Sequence, residues 1–233
     1  MSYPKSCQIK KYVIIVAGGS GSRMKTTLPK QFLEVGGKPI LMHTLSAFHH
    51  YDSKIEIILV LPEKDMEQWD SLCEAHSFRL SYQIKKGGIS RFQSVKNGLE
   101  AIKDEGLVAI HDGVRPFIDR DVIDGAFRTA AEKGNAVVAV PLKDSIRKLE
   151  NSYTVALDRN LYRLVQTPQV FRTEIIKKAY DQSEKAEMTD DASVAESAGL
   201  KIELVPGHYE NIKITTPEDL YLAEAILRRK SSV

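Results

Sequence analysis

The chain has 233 residues, 42% of them hydrophobic and 27% charged, which fits a globular α/β domain with a sizeable core and argues against a disordered chain. A formal net charge of +2 is too small for a nucleic-acid surface, so any basic cluster is expected to be local and matched to a small anion. With only Cys7 and Cys73, no signal-like apolar run at the N-terminus and no apolar stretch near the ~18 residues of a membrane span, the expectation is a cytoplasmic protein without a membrane partner.

Residues 12–16 are short, apolar and β-branched, which predicts a buried strand. Where that strand ends, the chain reads Ala17-Gly18-Gly19-Ser20-Gly21-Ser22-Arg23-Met24 and soon after Leu28-Pro29-Lys30-Gln31-Phe32. Glycines without a Cβ let successive N–H groups approach phosphate oxygens, and Arg23 and Lys30 add two cations to the same segment. A tight turn needs neither cation, so the combination predicts a nucleotidyl-transfer site. A dinucleotide fingerprint does not fit, because Met24 takes the third glycine position and Pro29 interrupts the following helix. No Walker string G-x-x-x-x-G-K-[ST] occurs.

Further along, helical patterns over 39–50 and 64–75 alternate with strands over 55–61 and 80–85. A helix over 90–103 carries an apolar stripe at Phe92, Val95, Leu99 and Ile102, with Ser90 placed as its N-cap. A strand follows at 107–110. Val122, Ile123, Ala126, Phe127 and Ala130 form the next helix face, which Gly134 ends, and 136–140 is a fifth buried strand. Repeated βα units of this kind predict a mostly parallel sheet covered by helices on both faces.

Residues 142–165 break the rhythm with mixed polarity and no helical stripe, and the segment reads as an insertion, a lid or an arm for dimerisation. Helices are then expected over 172–183 and 190–198, a strand over 202–205, and a last helix beginning at Thr216-Pro217 with Glu218 and Asp219 near its positive end. No repeat or linker divides residues 1–233, so the whole is read as one domain.

Ligands of open α/β sheets bind beyond the carboxyl ends of the strands. Asp112 follows such an end and could hold magnesium against phosphate oxygens, or serve only as a loop carboxylate. Gly87-Gly88 could bring backbone close to a base or ribose, or form a plain turn. Lys213 could be a site cation or an exposed strand lysine. His43, His49 and His50 lack partners at metal spacing and read as surface or core histidines. Cys73 and Trp69 read as buried helix residues, and Arg228, Arg229 and Lys230 as a solvated helix end.

Seven strings in order give these residues a resemblance. They are the A-G-G-x-G-x-R-M loop with L-P-K-Q-F, Gly87-Gly88-x-x-Arg91-x-x-Ser94-Val95, and His111 through Phe117. Asp158-Arg159-Asn160, Gln166-Thr167-Pro168-Gln169, Thr189 through Ser193 and Asn211 through Leu220 complete the set. From Tyr12 through Arg228 the chain resembles the 2-C-methyl-D-erythritol 4-phosphate cytidylyltransferases of the non-mevalonate isoprenoid pathway. The resemblance implies a Rossmann-like fold of the nucleotide-diphospho-sugar transferase kind, with a β-arm insertion after Pro141 that dimerises the family. It implies a reaction in which CTP and a polyol phosphate join and pyrophosphate leaves. Loop donors fall on Ala17, Gly18 and Gly19, triphosphate cations on Arg23 and Lys30, and the magnesium ligand on Asp112. Cytosine is read around Ala17 and Gly88 and by Ser94. Ile89 stands where some relatives have an acidic residue, which leaves only a backbone role there. The methylerythritol phosphate site falls on Thr167, Thr189 and Lys213, with Arg159 from the partner subunit of a homodimer.

A phosphate nucleophile is already ionised, so the expected catalysis is electrostatic, from Arg23, Lys30, Lys213 and magnesium on Asp112. Three alternatives are carried. Ribitol 5-phosphate cytidylyltransferase shares several strings but differs around Asp158 and Thr189. A CTP-binding protein without turnover is disfavoured by the two lysines, and a dinucleotide oxidoreductase by the missing glycine.

Overall fold

The computed structural model describes residues 9–18, 24 and 28–231. Strands β1 (Lys11–Val16), β4 (Glu56–Leu61), β5 (Gln83–Lys86) and β6 (Leu107–Asp112) run parallel in the spatial order β6-β1-β4-β5. On the far side of β6 lie β10 (Arg163–Arg172), β7 (Asn135–Pro141) and β11 (Leu204–Pro206), giving seven strands in the order β11-β7-β10-β6-β1-β4-β5. Only β10 is reversed, antiparallel to both β6 and β7. The mostly parallel sheet expected from the βα rhythm is present.

Alternate residues of each strand feed two cores. Val13, Ile15, Ile57, Leu59, Leu107 and Ala109 point to one face, where α1 (Ile40–Tyr51), α2 (Glu63–Ala75) and α4 (Arg120–Lys133) bury Phe48, Trp69 and Phe127. Tyr12, Ile14, Ile58, Val60, Val108 and Ile110 point to the other, against α3 (Arg91–Glu100), α5 (Thr173–Ala179) and α6 (Asp191–Ser197). Strands buried on both faces must be apolar throughout, which is why no polar alternation marks them. A third cluster seats α7 (Pro217–Ser231) through Ala223 and Ile226 on Val35, Ile40, Phe117 and Ile214.

The expected caps form. Ser90 Oγ accepts the Gln93 N–H at 3.1 Å, and Gly134 ends α4 in the left-handed region at φ +96°. At α7 it is the Asp219 carboxylate that reaches back to the Thr216 N–H at 2.8 Å, the acidic half of a capping box. Asp190 and Ser193 make a full capping box for α6.

Two expectations need correction. The insertion ends earlier than 165, because β10 begins at Arg163, and the helix expected over 172–183 is the shorter α5. Pro168 interrupts the apolar run of β10 and offers no N–H, and the register with β7 shifts between Val165 and Gln169. That break hides the strand in the sequence pattern. Within the insertion, β8 (Ile146–Leu149) and β9 (Thr154–Leu157) form an antiparallel hairpin outside the main sheet. Its neighbourhood exposes Leu149, Tyr153, Val155 and Leu161 to solvent.

Candidate active site

Two cavities open beyond the carboxyl ends of β1, β5 and β6. The smaller, about 200 Å³, is lined by Ala17, Gly18, Lys30, Gly88 and Ser94 among others. The larger, about 600 Å³, lies beside β10 and the start of α6 and is lined by Gln166, Thr167, Gln169 and Thr189 among others. Arg91, Asp112 and Lys213 line both.

Asp112 ends β6 opposite Val16, and the chain turns there through Gly113. A Cβ on Gly113 would stand 2.9 Å from the Ala17 Cβ and 3.2 Å from the Val16 carbonyl, so only glycine lets the ends of β1 and β6 close together. The carboxylate of Asp112, a residue 7% exposed, meets Lys213 Nζ at 3.0 Å, Arg115 Nε at 3.3 Å and Arg91 Nε at 3.8 Å. Burial alone would raise its pKa, but Arg91, Lys213 and Arg115 outweigh that and hold it well below the usual carboxylate range. Three cations around one carboxylate leave the junction of the cavities positive, the arrangement two polyanions require.

Arg91 and Arg115 do not figure among the site residues expected from the sequence. Arg91 is the first residue of α3, at the positive end of the helix dipole, where a cation is unfavourable without an anionic partner. That mismatch is the signal that could have found it. Its partner is the fully buried Asp191, bonded in bidentate fashion at 2.8 and 2.7 Å, with the Tyr180 hydroxyl donating to the same carboxylate at 2.6 Å. Despite the cost of burial, Asp191 holds the Arg91 pKa above its ordinary value. Arg115 donates to the Asn211 carbonyl at 2.7 Å, and burial lowers its pKa.

His111 lies behind this cluster with no exposed surface, and burial lowers its pKa to about 4. Its Nε2 stands 3.1 Å from the Arg115 carbonyl, which can only accept, so Nε2 carries the proton and Nδ1 is an acceptor. The Thr167 hydroxyl, 3.1 Å from Nδ1, therefore donates to it while accepting the Asp112 N–H at 3.1 Å. His111 is thus a neutral strut that ties β10 and the Arg115 backbone to Asp112. The Thr167 hydroxyl proton is committed to it.

Lys213 sits in an irregular segment rather than on a strand. Its place is set from both sides: Asn211 Nδ2 donates to the Thr167 carbonyl at 2.8 Å, and the Ile214 N–H donates to the Val114 carbonyl at 3.0 Å. Lys30 opens a 3₁₀ turn, Lys30–Phe32, which Phe32 anchors by stacking on Trp69 at 5.9 Å.

Of the residues expected on the nucleotide side, Ala17 and Ser94 already make hydrogen bonds within the fold. The Ala17 N–H is bonded to the Val60 carbonyl at 3.0 Å, so Ala17 offers its own carbonyl rather than an amide donor. Ser94 Oγ accepts the Gly88 N–H at 3.0 Å and donates to the Ser90 carbonyl at 2.8 Å, so it shapes the Gly88 loop from within. A Cβ on Gly88 would fall 2.2 Å from the Gln93 Cβ, which only glycine avoids. Gly19 and Arg23 lie outside the described residues. Thr189 is exposed on the rim of the larger cavity. Arg159 lies just after β9 in the insertion, where it donates to the Lys143 carbonyl, and lines neither cavity of its own chain.

The donor set suits a magnesium ion carried by phosphates. Asp112 is held ionised, and among the described residues its Oδ1 has the 3.8 Å approach of Arg91, while Oδ2 is taken by Lys213 and Arg115. One hard carboxylate oxygen is what a cation that draws its other ligands from phosphates and water needs. Among the described residues no group of three or more His, Cys, Asp or Glu could hold a metal by protein ligands alone.

With this geometry in place, residues 11–229 match the family model for 2-C-methyl-D-erythritol 4-phosphate cytidylyltransferase. The chain belongs to this family. The enzyme of that name from Phocaeicola vulgatus is 49% identical over 219 residues, spanning 94% of this chain and 100% of the relative. That of Bacteroides fragilis is 50% identical over 214 residues, 92% and 98% of the two chains. Among solved structures, the 4-diphosphocytidyl-2C-methyl-D-erythritol synthase of Anaerococcus prevotii superposes with a TM-score of 0.80 at 30% identity over 94% and 96% of the chains. The Thermus thermophilus cytidylyltransferase gives 0.77 at 32% identity over 95% and 100%. The central sheet with its flanking helices is the family's fold.

Proposed function

We propose that the smaller cavity takes CTP, that the larger takes 2-C-methyl-D-erythritol 4-phosphate, and that the reacting phosphates meet over Arg91, Asp112 and Lys213. The observation that carries this is the lining itself, since those three residues are common to both cavities. The chemistry is that of the family: a cytidylyl group passes from CTP to 2-C-methyl-D-erythritol 4-phosphate, and pyrophosphate leaves. A ribitol 5-phosphate acceptor is not favoured, because the relatives carry the methylerythritol name.

An oxygen of the polyol phosphate attacks the α-phosphorus of CTP in line with the leaving pyrophosphate. That oxygen is ionised at neutral pH, so no general base is required, and His111 is unsuited to be one because both its ring nitrogens are already bonded. What limits the reaction is charge. Lys213 and Arg91 face both polyanions, and Lys30 and Arg23 serve the triphosphate, stabilising charge that gathers on the α-phosphoryl oxygens in the transition state. Asp112 would hold Mg²⁺, which when bound would add charge neutralisation at the phosphates. The Ala17 carbonyl and the Gly88 loop, braced by Ser94, read the base, with Gly18 and Gly19 on the phosphates. Thr189 and Thr167 border the polyol phosphate.

The same reading makes the enzyme a homodimer through the hairpin β8–β9, with Arg159 entering the larger cavity of the partner. Supporting it are the solvent-exposed Leu149, Tyr153 and Leu161 around the hairpin. A cytoplasmic location fits a chain whose Cys73 is a free thiol, and the net charge of +2 favours small-molecule substrates over nucleic acid. No helix among the described residues is long and apolar enough to cross a membrane.

The test is pyrophosphate release from CTP and magnesium with either polyol phosphate. The methylerythritol compound is expected to win by at least about tenfold in kcat/KM. A clear preference for ribitol 5-phosphate would overturn the reading.

A further inference from the structure

A third concavity of about 510 Å³ lies between α1, the turn after α2, and the hairpin of β2 (Glu34–Val35) and β3 (Lys38–Pro39). It shares no lining residue with the two cavities of the active site. Its ionisable lining is of one kind: Lys38, His49, His50, His76 and Arg79, with the hydroxyls of Ser46 and Ser77 and no carboxylate.

Lys38 is the informative member. Half-buried, its ammonium donates to Ser46 Oγ at 3.2 Å and stands 5.3 Å from the centre of the Phe78 ring. Neither Lys38 nor Arg79 forms an ion pair among the described residues, and the ion pair found at the lining there is that of Glu34 with His76 at 3.4 Å. Burial accordingly pushes the Lys38 pKa down with nothing opposing it. A partly desolvated ammonium without a counter-charge is unfavourable unless an anion completes it.

The walls are fixed before any ligand arrives. Gly36 and Gly37, at φ +60° and +70°, make the two-residue turn whose two left-handed positions match the twist of a hairpin. Ser77, also left-handed at φ +49°, sets the turn that carries Phe78, whose ring packs edge-on against the fully buried Trp69 at 6.1 Å. Such pre-formed walls lower the ordering cost of binding.

We propose that this concavity is a second anion site, which binds the phosphate or diphosphate group of a small molecule with Lys38 at its centre. Arg79 supplies a planar fork of donors for the same oxygens, and the histidines and serines add hydrogen bonds at the rim. The volume lies within the range of small-molecule sites and gives no extended basic stripe of the kind a nucleic acid follows.

The experiment is a titration of the ¹⁵N-labelled protein with inorganic phosphate and with pyrophosphate, against sodium chloride at matched ionic strength. The amides of Gly37, Ser77 and Arg79 are followed, because these residues line this concavity and not the active site. Saturable shifts with either phosphate and none with chloride are expected. Lys38→Met, which keeps an apolar stem against Phe78, is expected to weaken binding by about tenfold while kcat and both KM values stay within about twofold. Arg79→Gln, at an exposed position, is expected to weaken it by about threefold and decides the matter should Lys38→Met not fold. Shifts that rise without saturation, an equal response to chloride, or unchanged affinity in the folded variants would overturn the proposal.

Discussion

Lys213 Nζ stands 3.0 Å from Asp112 Oδ2, which joins the segment before α7 to the end of β6 and places a cation at the boundary of the two cavities. Arg91 and Arg115 share the same carboxylate, so Asp112 keeps cationic partners when Lys213 is removed. Lys213 is also 41% exposed at its side chain, which makes its truncation a small structural loss. Its contribution is therefore expected in the rate. Lys213→Ala and Lys30→Ala should each lower kcat by ~10²-fold or more, about 3 kcal/mol of transition-state stabilisation, with smaller changes in CTP binding measured by titration.

Thr189 and Ser94 separate the substrates. Thr189 lines only the larger cavity, so Thr189→Val should raise KM for the polyol phosphate and leave that for CTP nearly unchanged. Ser94 lines only the smaller and holds the Gly88 N–H, so Ser94→Ala should raise the CTP KM. Steady-state kinetics in both substrates check this, and a Thr189→Val enzyme impaired for CTP alone would reassign the position.

The proposed shared-site dimer is open to complementation. Lys30→Ala and Arg159→Ala homodimers should each be poorly active. If Arg159 serves its partner, a mixed dimer has one doubly defective site and one intact site, so random reassortment should restore roughly a quarter of native sites. No recovery in a verified mixed dimer of folded parents would place Arg159 in its own chain's site or outside catalysis.

His111 makes stability depend on pH. Its folded pKa of about 4 lies below the unfolded value near 6.5, so the unfolded chain binds the extra proton in that window. Its contribution is complete above pH 6.5 and declines as the pH falls towards 4. From pH 7 to 5 the loss should be about 2 kcal/mol, with the half-buried His43, also lowered, adding in the same direction. Denaturant unfolding of the native chain and of His111→Gln should show a shallower acid loss in the variant. An identical pH slope would mean that His111 is not held neutral.

Much of this was legible in sequence, for physical reasons that also explain the exceptions. Strands such as β1, β4 and β6 are apolar on both faces and stand out as β-branched runs, and Ser90 and Gly134 mark helix ends because their local geometry demands those residue types. β10 escaped because Pro168 splits it and because its pairing with β6 and β7 is non-local. The site strings contain Asp112, Lys30 and Lys213, which line the two adjoining cavities, but no string states which hydrogen bonds are already made. Ala17 and Ser94 spend donors within the fold, and the Thr167 hydroxyl is bound to His111. Arg91 needed Asp191, a hundred residues away, before its place at the start of α3 made sense.

The central claim is that two substrates in adjoining cavities react in one in-line step over Asp112 and Lys213, without a covalent enzyme intermediate. The stereochemistry at the α-phosphorus tests it most directly. CTP made chiral at that phosphorus with a single α-thio oxygen replacement is turned over with 2-C-methyl-D-erythritol 4-phosphate, and the product's configuration is read by ³¹P NMR. The account predicts inversion, the outcome of a single displacement; net retention would require two displacements through a cytidylylated side chain and would contradict it.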